Sequence, residues 1–345
     1  MARDDAQIPL FAIGAADPTV EPLITADDIA LAKRLPPFLH FGTSSWSFPG
    51  WSGLVWKTRT SEAELARAGL AAYAQQPLFR SVGLDRGYYA PLRREELAIY
   101  AEQLAVARSR APGLPPFRIV SKVWEEITTA VYPGHPRYGA RGGSPNPHFL
   151  DAAVFCSEVL APYEVLGPDA GPFVFELTPM RPGTFDERSL VTRVDDFIAR
   201  LPSGPRWAFE LRNAELFGSR WLHMLRANDA AHVFNYWTAM PPLREQLRMR
   251  ALTTRFTVVR LMLPPYTRYA TRKASFAPFD KVVEPAPDMR ADVVDILRAA
   301  AEANIDDAFV IVNNKAEGSA PLTIRALASR TADALRDRLP SAGSE

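Results

Sequence analysis

A single (β/α)8 barrel is the fold this sequence predicts, on three observations. Short apolar segments of strand length alternate with longer segments whose apolar residues recur at three- and four-residue spacing; the alternation repeats eight times; and no linker splits the 345 residues in two. Parallel strands need a long crossover, which a helix supplies, so eight β-then-α units in order read as a parallel barrel.

The strand candidates are LHFGTS ending near Ser44, FRSVGLD ending at Asp85, FRIVSK ending at Lys122 and PFVFEL ending near Leu177. RWAFEL near Leu211, AHVFNY near Tyr236, FTVVRLML near Leu263 and DAFVIVN near Asn313 complete the set. Between them run helical patterns such as EAELARAGLAAYAQ, REELAIYAEQLAVARS, VDDFIARL, AELFGSRWLHMLRA, ADVVDILRAAAEA and IRALASRTADALRDRL. A typical barrel of this kind uses about 250 residues, so roughly 95 belong to extensions and loops. We expect an N-terminal extension over 1–38, a barrel domain over 39–340, and long loops after strands three and seven, where YPGHPRYGARGGSPNPHF and PPYTRYATRKASFAPFDKVVEPAPDM lack an apolar period. The first of these, with few apolar anchors, is expected to be a flexible flap over the C-terminal face.

Composition excludes several classes. Forty basic against 39 acidic residues leave a net charge of +1, and 47% of the chain is hydrophobic, so a large core is available and no general field favours nucleic acid or anionic membrane. The single cysteine, Cys156, lies in an apolar run and reads as a small hydrophobe. The N-terminus has acids near its start and no basic region leading into an apolar stretch, and no window reaches the roughly 20 apolar residues of a membrane span. The expected location is the cytoplasm, with no membrane partner.

Six segments carry a family resemblance. FGTSSWSFPGWSG, from Phe41 to Gly53, resembles the opening motif of the DUF72, or YecE-like, family. FRSVGLDRGYYAPL, FRIVSKVWEEITT, WAFELRN, VVRLML and FVIVNNKAEGSAP resemble its second, third, fifth, seventh and eighth strand regions, in order, from about Gly42 to Pro321. The resemblance implies a TIM barrel of unassigned activity; it supplies a fold and no reaction.

In this fold, functional side chains lie at the C-terminal strand ends and in the loops that follow. That rule collects Ser44 and Trp46, Asp85, Lys122, Glu176, Glu210 with Arg212, Asn235, Arg260, and Asn313 with Asn314. Polar groups inside apolar strands must meet one another, water or a ligand. Glu210 and Arg212 are two apart and so share a side. We expect Glu210 to be the general acid or base, Lys122 to act beside it, and Arg212 and Asn313 to bind substrate, with Asn314, Arg260, Asp85 and Glu176 in support. A closed ion-pair network with no reactive role is the alternative. Aromatic residues at the same level, among them Trp46, Tyr88, Tyr89 and Trp237, suit stacking on a sugar or a base.

No metal or cofactor is expected. The five histidines show no ligand spacing, although an oxygen-only site from Asp85, Glu176 and Glu210 is conceivable. After strand eight, Gly318 and Ser319 could bring backbone N–H groups to a phosphate, or form an ordinary helix cap. The functional reading is a metal-independent hydrolase, lyase or isomerase acting on a small polar sugar-like or phosphorylated ligand. Its alternative is a noncatalytic module holding a ligand or a single nucleic-acid strand with Arg137, Arg141, Arg268, Arg272 and Lys273.

Overall fold

The computed structural model describes residues 20–264 and 274–336. Eight parallel strands close in sequence order: β1 Leu39–Thr43, β2 Ser81–Leu84, β3 Arg118–Lys122, β4 Ala170–Glu176, β5 Trp207–Glu210, β6 Ala231–Tyr236, β7 Phe256–Leu261 and β8 Asp307–Val312, which pairs back onto β1. The α/β TIM-barrel architecture and its strand positions follow the alternation in the sequence.

Inside the barrel, Val120, Val174, Ala208, Ala231, Val233, Phe256, Val258, Phe309 and Ile311 form a closed apolar plug. A second, larger core lies between strands and helices, where Phe155 packs edge-on or tilted against Phe173, Phe175, Phe197 and Trp207. Burying each such ring contributes roughly 1.5–3 kcal/mol. Gly42 permits the close approach of β1 to β2, because a Cβ there would stand 2.2 Å from the Ser81 carbonyl oxygen.

Helices Glu62–Tyr73, Arg94–Arg110, Glu187–Ile198, Ser219–Ala227, Leu243–Arg248, Pro287–Glu302 and Ala320–Ala334 follow strands one, two, four, five, six, seven and eight. The third crossover departs from a regular helix. Ala152–Val154 widens into a π-helical stretch, Phe155–Leu160, and then a 3-10 stretch, Ala161–Asp169, that contains Pro168 and a positive φ at Gly167. Likewise AELFGSRWLHMLRA divides at Phe217-Gly218 into a short 3-10 turn and the helix from Ser219.

The lower end is sealed by charge as well as by packing. Arg80 donates to the carbonyls of Ala32, Pro36 and Leu39, and Asp28 of the helix Ala26–Lys33 takes Arg325 through both oxygens at 2.9 Å. His40 meets Asp307 at 2.7 Å near the strand starts, away from the open mouth. Among the described residues no helix is long and apolar enough to cross a membrane.

Candidate functional site at the barrel mouth

Side chains alternate along a strand, so one parity of each strand faces the interior. Val120, Val174, Ala208, Val233, Val258 and Ile311 mark that parity on β3 to β8. Two residues further along stand Lys122, Glu176, Glu210, Asn235, Arg260 and Asn313, and the register places Ser44 and Asp85 on the same side. Period two therefore delivers polar residues from all eight strands to one ring above the plug, with Arg212 one step above Glu210.

Glu176 and Glu210 are register neighbours on β4 and β5, an arrangement that two buried carboxylates tolerate only with cations between them. Two arginines supply these. Arg212 Nη2 lies 2.6 Å from Glu176 Oε2 and 2.7 Å from Glu210 Oε1, to which Arg212 Nε also donates at 2.8 Å. Arg260 Nη1 reaches Glu176 Oε2 at 2.8 Å and also Glu210 Oε2. Lys122 Nζ adds a third cation to Glu176 Oε2 at 2.8 Å. Burial alone would raise the Glu176 pKa, but Arg212, Lys122 and Arg260 together hold it well below the usual carboxylate range. Burial opposes the charge on Arg260 as well, and Glu210, Asp85 and Glu176 outweigh it, leaving that guanidinium more firmly protonated than usual.

The members differ in reach. The Glu210 side chain is 0% exposed and Glu176 7%, whereas Lys122 is 12% and Asp85 35% exposed. Among the described residues, Asp85 holds only a 3.3 Å contact with Arg260 Nη2. Three carboxylates and three cations thus cancel, with Asp85 and Lys122 outermost. Asn235 donates to the Leu211 carbonyl at 2.5 Å, and its Oδ1 is buried without a partner among the described residues.

Aromatic faces hold two of the cations. Lys122 Nζ lies 3.6 Å from the Tyr88 ring centre and the Arg212 guanidinium 3.7 Å from that of Trp237. Burial, then the Glu176 charge, push the Tyr88 hydroxyl well above its ordinary pKa, so it stays a neutral donor or acceptor beside Thr178, 3.2 Å away. Thr178 was not among the expected site residues; its place two beyond Glu176, on the same parity, was the available signal.

Of the expected residues, Lys122, Glu210, Arg212, Glu176, Arg260, Asp85 and Trp237 come together. Ser44, whose Oγ is 4.0 Å from Met262 Sδ, and Asn313, which accepts from the Lys315 N–H at 3.0 Å, border them. Three do not join. Asn314 has the opposite parity and takes the Ala320 N–H at 2.8 Å and Trp51 Nε1 at 3.2 Å. Trp46 is buried, donates to the Leu65 carbonyl at 2.9 Å and packs edge-on to Tyr100, because its indole fills the space between the helices Glu62–Tyr73 and Arg94–Arg110. Tyr89 stands out on the rim, 66% exposed, with Arg137 5.4 Å from its ring.

The loop after β3 is anchored more firmly than its composition suggests. Arg137 and Tyr138 bond Glu125, Tyr132 and Arg141 bond Glu126, and buried Asn146 ties the base together. Its arginines are thereby neutralised; Arg268, Arg272 and Lys273 lie outside the described residues. The start of the last helix offers no open phosphate cradle either, since Asn314 caps it and Gly318, at φ +120°, packs beneath Lys281 and Val283. Among the described residues no group of three or more His, Cys, Asp or Glu side chains stands in a metal-holding arrangement. In the carboxylate trio, Glu176 Oε2, both Glu210 oxygens and Asp85 Oδ1 face the basic side chains.

The sequence matches the model of a family described as a protein of unknown function, DUF72, over residues 40–343. Two solved structures are similar in fold. A DUF72 family protein from Enterococcus faecalis V583 superposes with a TM-score of 0.57 at 16% identity, covering 84% of this chain and 95% of that one. A DUF72 family protein from Thermotoga maritima MSB8 gives 0.54 at 15% identity, covering 85% and 98%. No protein of curated function matches.

Proposed function

Because this chain belongs to the DUF72 family, whose description carries no activity, we propose a function from its own residues: a hydrolase, lyase or isomerase that takes a small uncharged polyhydroxylated ligand at the barrel mouth and works by carboxylate acid–base chemistry. The observation that carries this reading is the neutral six-membered ion network, closed underneath, whose most exposed members among the described residues are Asp85 and Lys122. An anionic ligand would have to compete with buried carboxylates for cations they already hold, whereas hydroxyl groups can bond to the outer edges of the network without separating it. This favours a sugar-like ligand over a phosphorylated one.

The roles follow from reach. A general base must come within hydrogen-bond distance of the proton it removes. Glu210, expected in that role, has both oxygens on arginines and no exposed surface, so we assign it to holding Arg212 and Arg260 and give the acid–base role to Asp85. Lys122, whose Nζ lies 2.8 Å from Glu176 and over the Tyr88 ring, donates to a ligand oxygen; Asn313 and Trp237 position the ligand.

The test is turnover of a panel of neutral glycosides, sugars and lactones beside their phosphorylated counterparts. We expect activity on neutral members, with Asp85→Asn lowering kcat by about 10²- to 10⁴-fold. Preference for the phosphorylated members, or full activity in Asp85→Asn, would sink the reading.

A further inference from the structure

We propose that the outer flank of the barrel binds the phosphate backbone of duplex nucleic acid, without sequence preference, in a groove between the helices Glu187–Ile198 and Ser219–Ala227. The groove encloses about 1310 Å³, more than a small-molecule pocket of roughly 300–1,000 Å³ needs, and it is an open channel. Arg188, Arg220, Arg226 and Arg250 line it beside His223, against a single lining acid, Asp195.

The arrangement of these charges differs from that elsewhere on the surface. Arg34, Arg255 and Arg298 each pair with an aspartate within 2.9 Å. In the groove, no salt bridge within 4.0 Å holds Arg188 or Arg250 among the described residues, although the Arg188 charge acts on Asp186 nearby. Arg226 donates to the Arg250 carbonyl rather than to a carboxylate, and Arg220 approaches Glu187 only at 4.0 Å. Asp195 is engaged by Asn228 at 2.7 Å. Four guanidiniums against Asp195 of the lining and Glu187 beside it leave a formal charge of +2 toward an anion.

Spacing favours a polymer. Arg220, His223 and Arg226 recur at three-residue intervals on one helix face, so Arg220 and Arg226 stand about 9 Å apart along the axis. Arg188 lies at the start of the opposite wall, and Arg250 beyond the far end. Several guanidiniums in a line suit successive phosphates, each able to take a bidentate pair. Among the described residues no Phe, Tyr or Trp ring lines the groove, so the broad stacking platform that single strands rely on is missing. That argues for a duplex, held through its backbone.

The experiment is fluorescence anisotropy of a labelled mixed-sequence DNA duplex with the full chain across a salt series. Four contacts predict a slope of about −3 to −4 in log K against log salt. Arg188→Glu/Arg250→Glu should reduce the slope by about 2 and the affinity by at least about tenfold, with the thermal melt measured beside it as the folding control. Absence of binding at the lowest salt, or unaltered binding by the double variant, overturns the proposal. Tighter binding of the corresponding single strand overturns it too, and equal competition by poly-L-glutamate would make this a surface for acidic protein instead. None of these outcomes bears on the barrel mouth, whose assay uses neutral ligands.

Discussion

The Arg212 guanidinium lies 3.7 Å from the centre of the Trp237 ring while its Nε and Nη2 reach Glu210 Oε1. The ring covers a cation that is already neutralised, so it restricts where the guanidinium can turn. Trp237→Phe keeps a face and should cost less than about 1 kcal/mol; Trp237→Ala removes it and should cost about 2 kcal/mol in urea unfolding. Equal stability of the two variants would mean that the stacking contributes nothing.

Glu210 and Asp85 should separate stability from ligand chemistry. Glu210→Gln leaves two buried guanidiniums short of a charge and should destabilise by about 3–5 kcal/mol. Asp85→Asn disturbs one long contact at the rim and should stay within about 1 kcal/mol of the parent. Comparable losses in chemical denaturation would contradict the division of roles drawn from their burial.

Asn146 is the hinge pin of the loop after β3. Its Nδ2 donates to the carbonyls of Glu126 and Thr129 at 2.7 Å, and its Oδ1 accepts from the His148 N–H at 2.9 Å beside the Tyr132 hydroxyl, which donates to Glu126. Asn146→Ala abandons three bonds at a buried position, each contributing about 0.5–1.5 kcal/mol. Amide exchange over residues 132–147 should then accelerate by at least about tenfold while the strands keep their protection. Unchanged exchange would show that Tyr138 and Arg141 suffice to hold the loop.

The strands were legible because period-two apolar runs are short and well bounded, and the polar residues that interrupt them, Lys122, Glu176, Glu210 and Arg260, marked the mouth for the same reason. Parity could also have separated Asn313 from Asn314, which are adjacent in sequence and point to opposite sides of β8. Depth was not legible. Nothing in WAFELRN says that Glu210 is enclosed by two arginines while Asp85 faces outward, because that depends on side chains from β4 and β7 meeting across the ring. The loop anchors were hidden likewise: Tyr132, Tyr138 and Asn146 look like rim residues until Glu125 and Glu126 are placed beneath them.

Acid stability should be governed first by His232. Burial is the main influence on it and lowers its pKa from 6.5 to about 4, against a smaller upward effect of the Gln246 hydrogen bond. The neutral ring is held on both nitrogens, by Trp221 Nε1 at 3.4 Å and Gln246 Oε1 at 3.2 Å. Since the folded pKa is the lower one, the unfolded chain binds the proton first as pH falls. The stability is therefore complete above pH 6.5 and is lost progressively down to about pH 4. The difference corresponds to about 3 kcal/mol. Glu176, depressed from 4.5, acts with the same sign, but its contribution fades only below that value, so the interval from pH 6.5 to 4.5 isolates the histidine. Urea midpoints measured across it should fall for the parent and stay nearly level for His232→Gln, which cannot take up the proton. Parallel slopes in the two proteins would place the titrating group elsewhere.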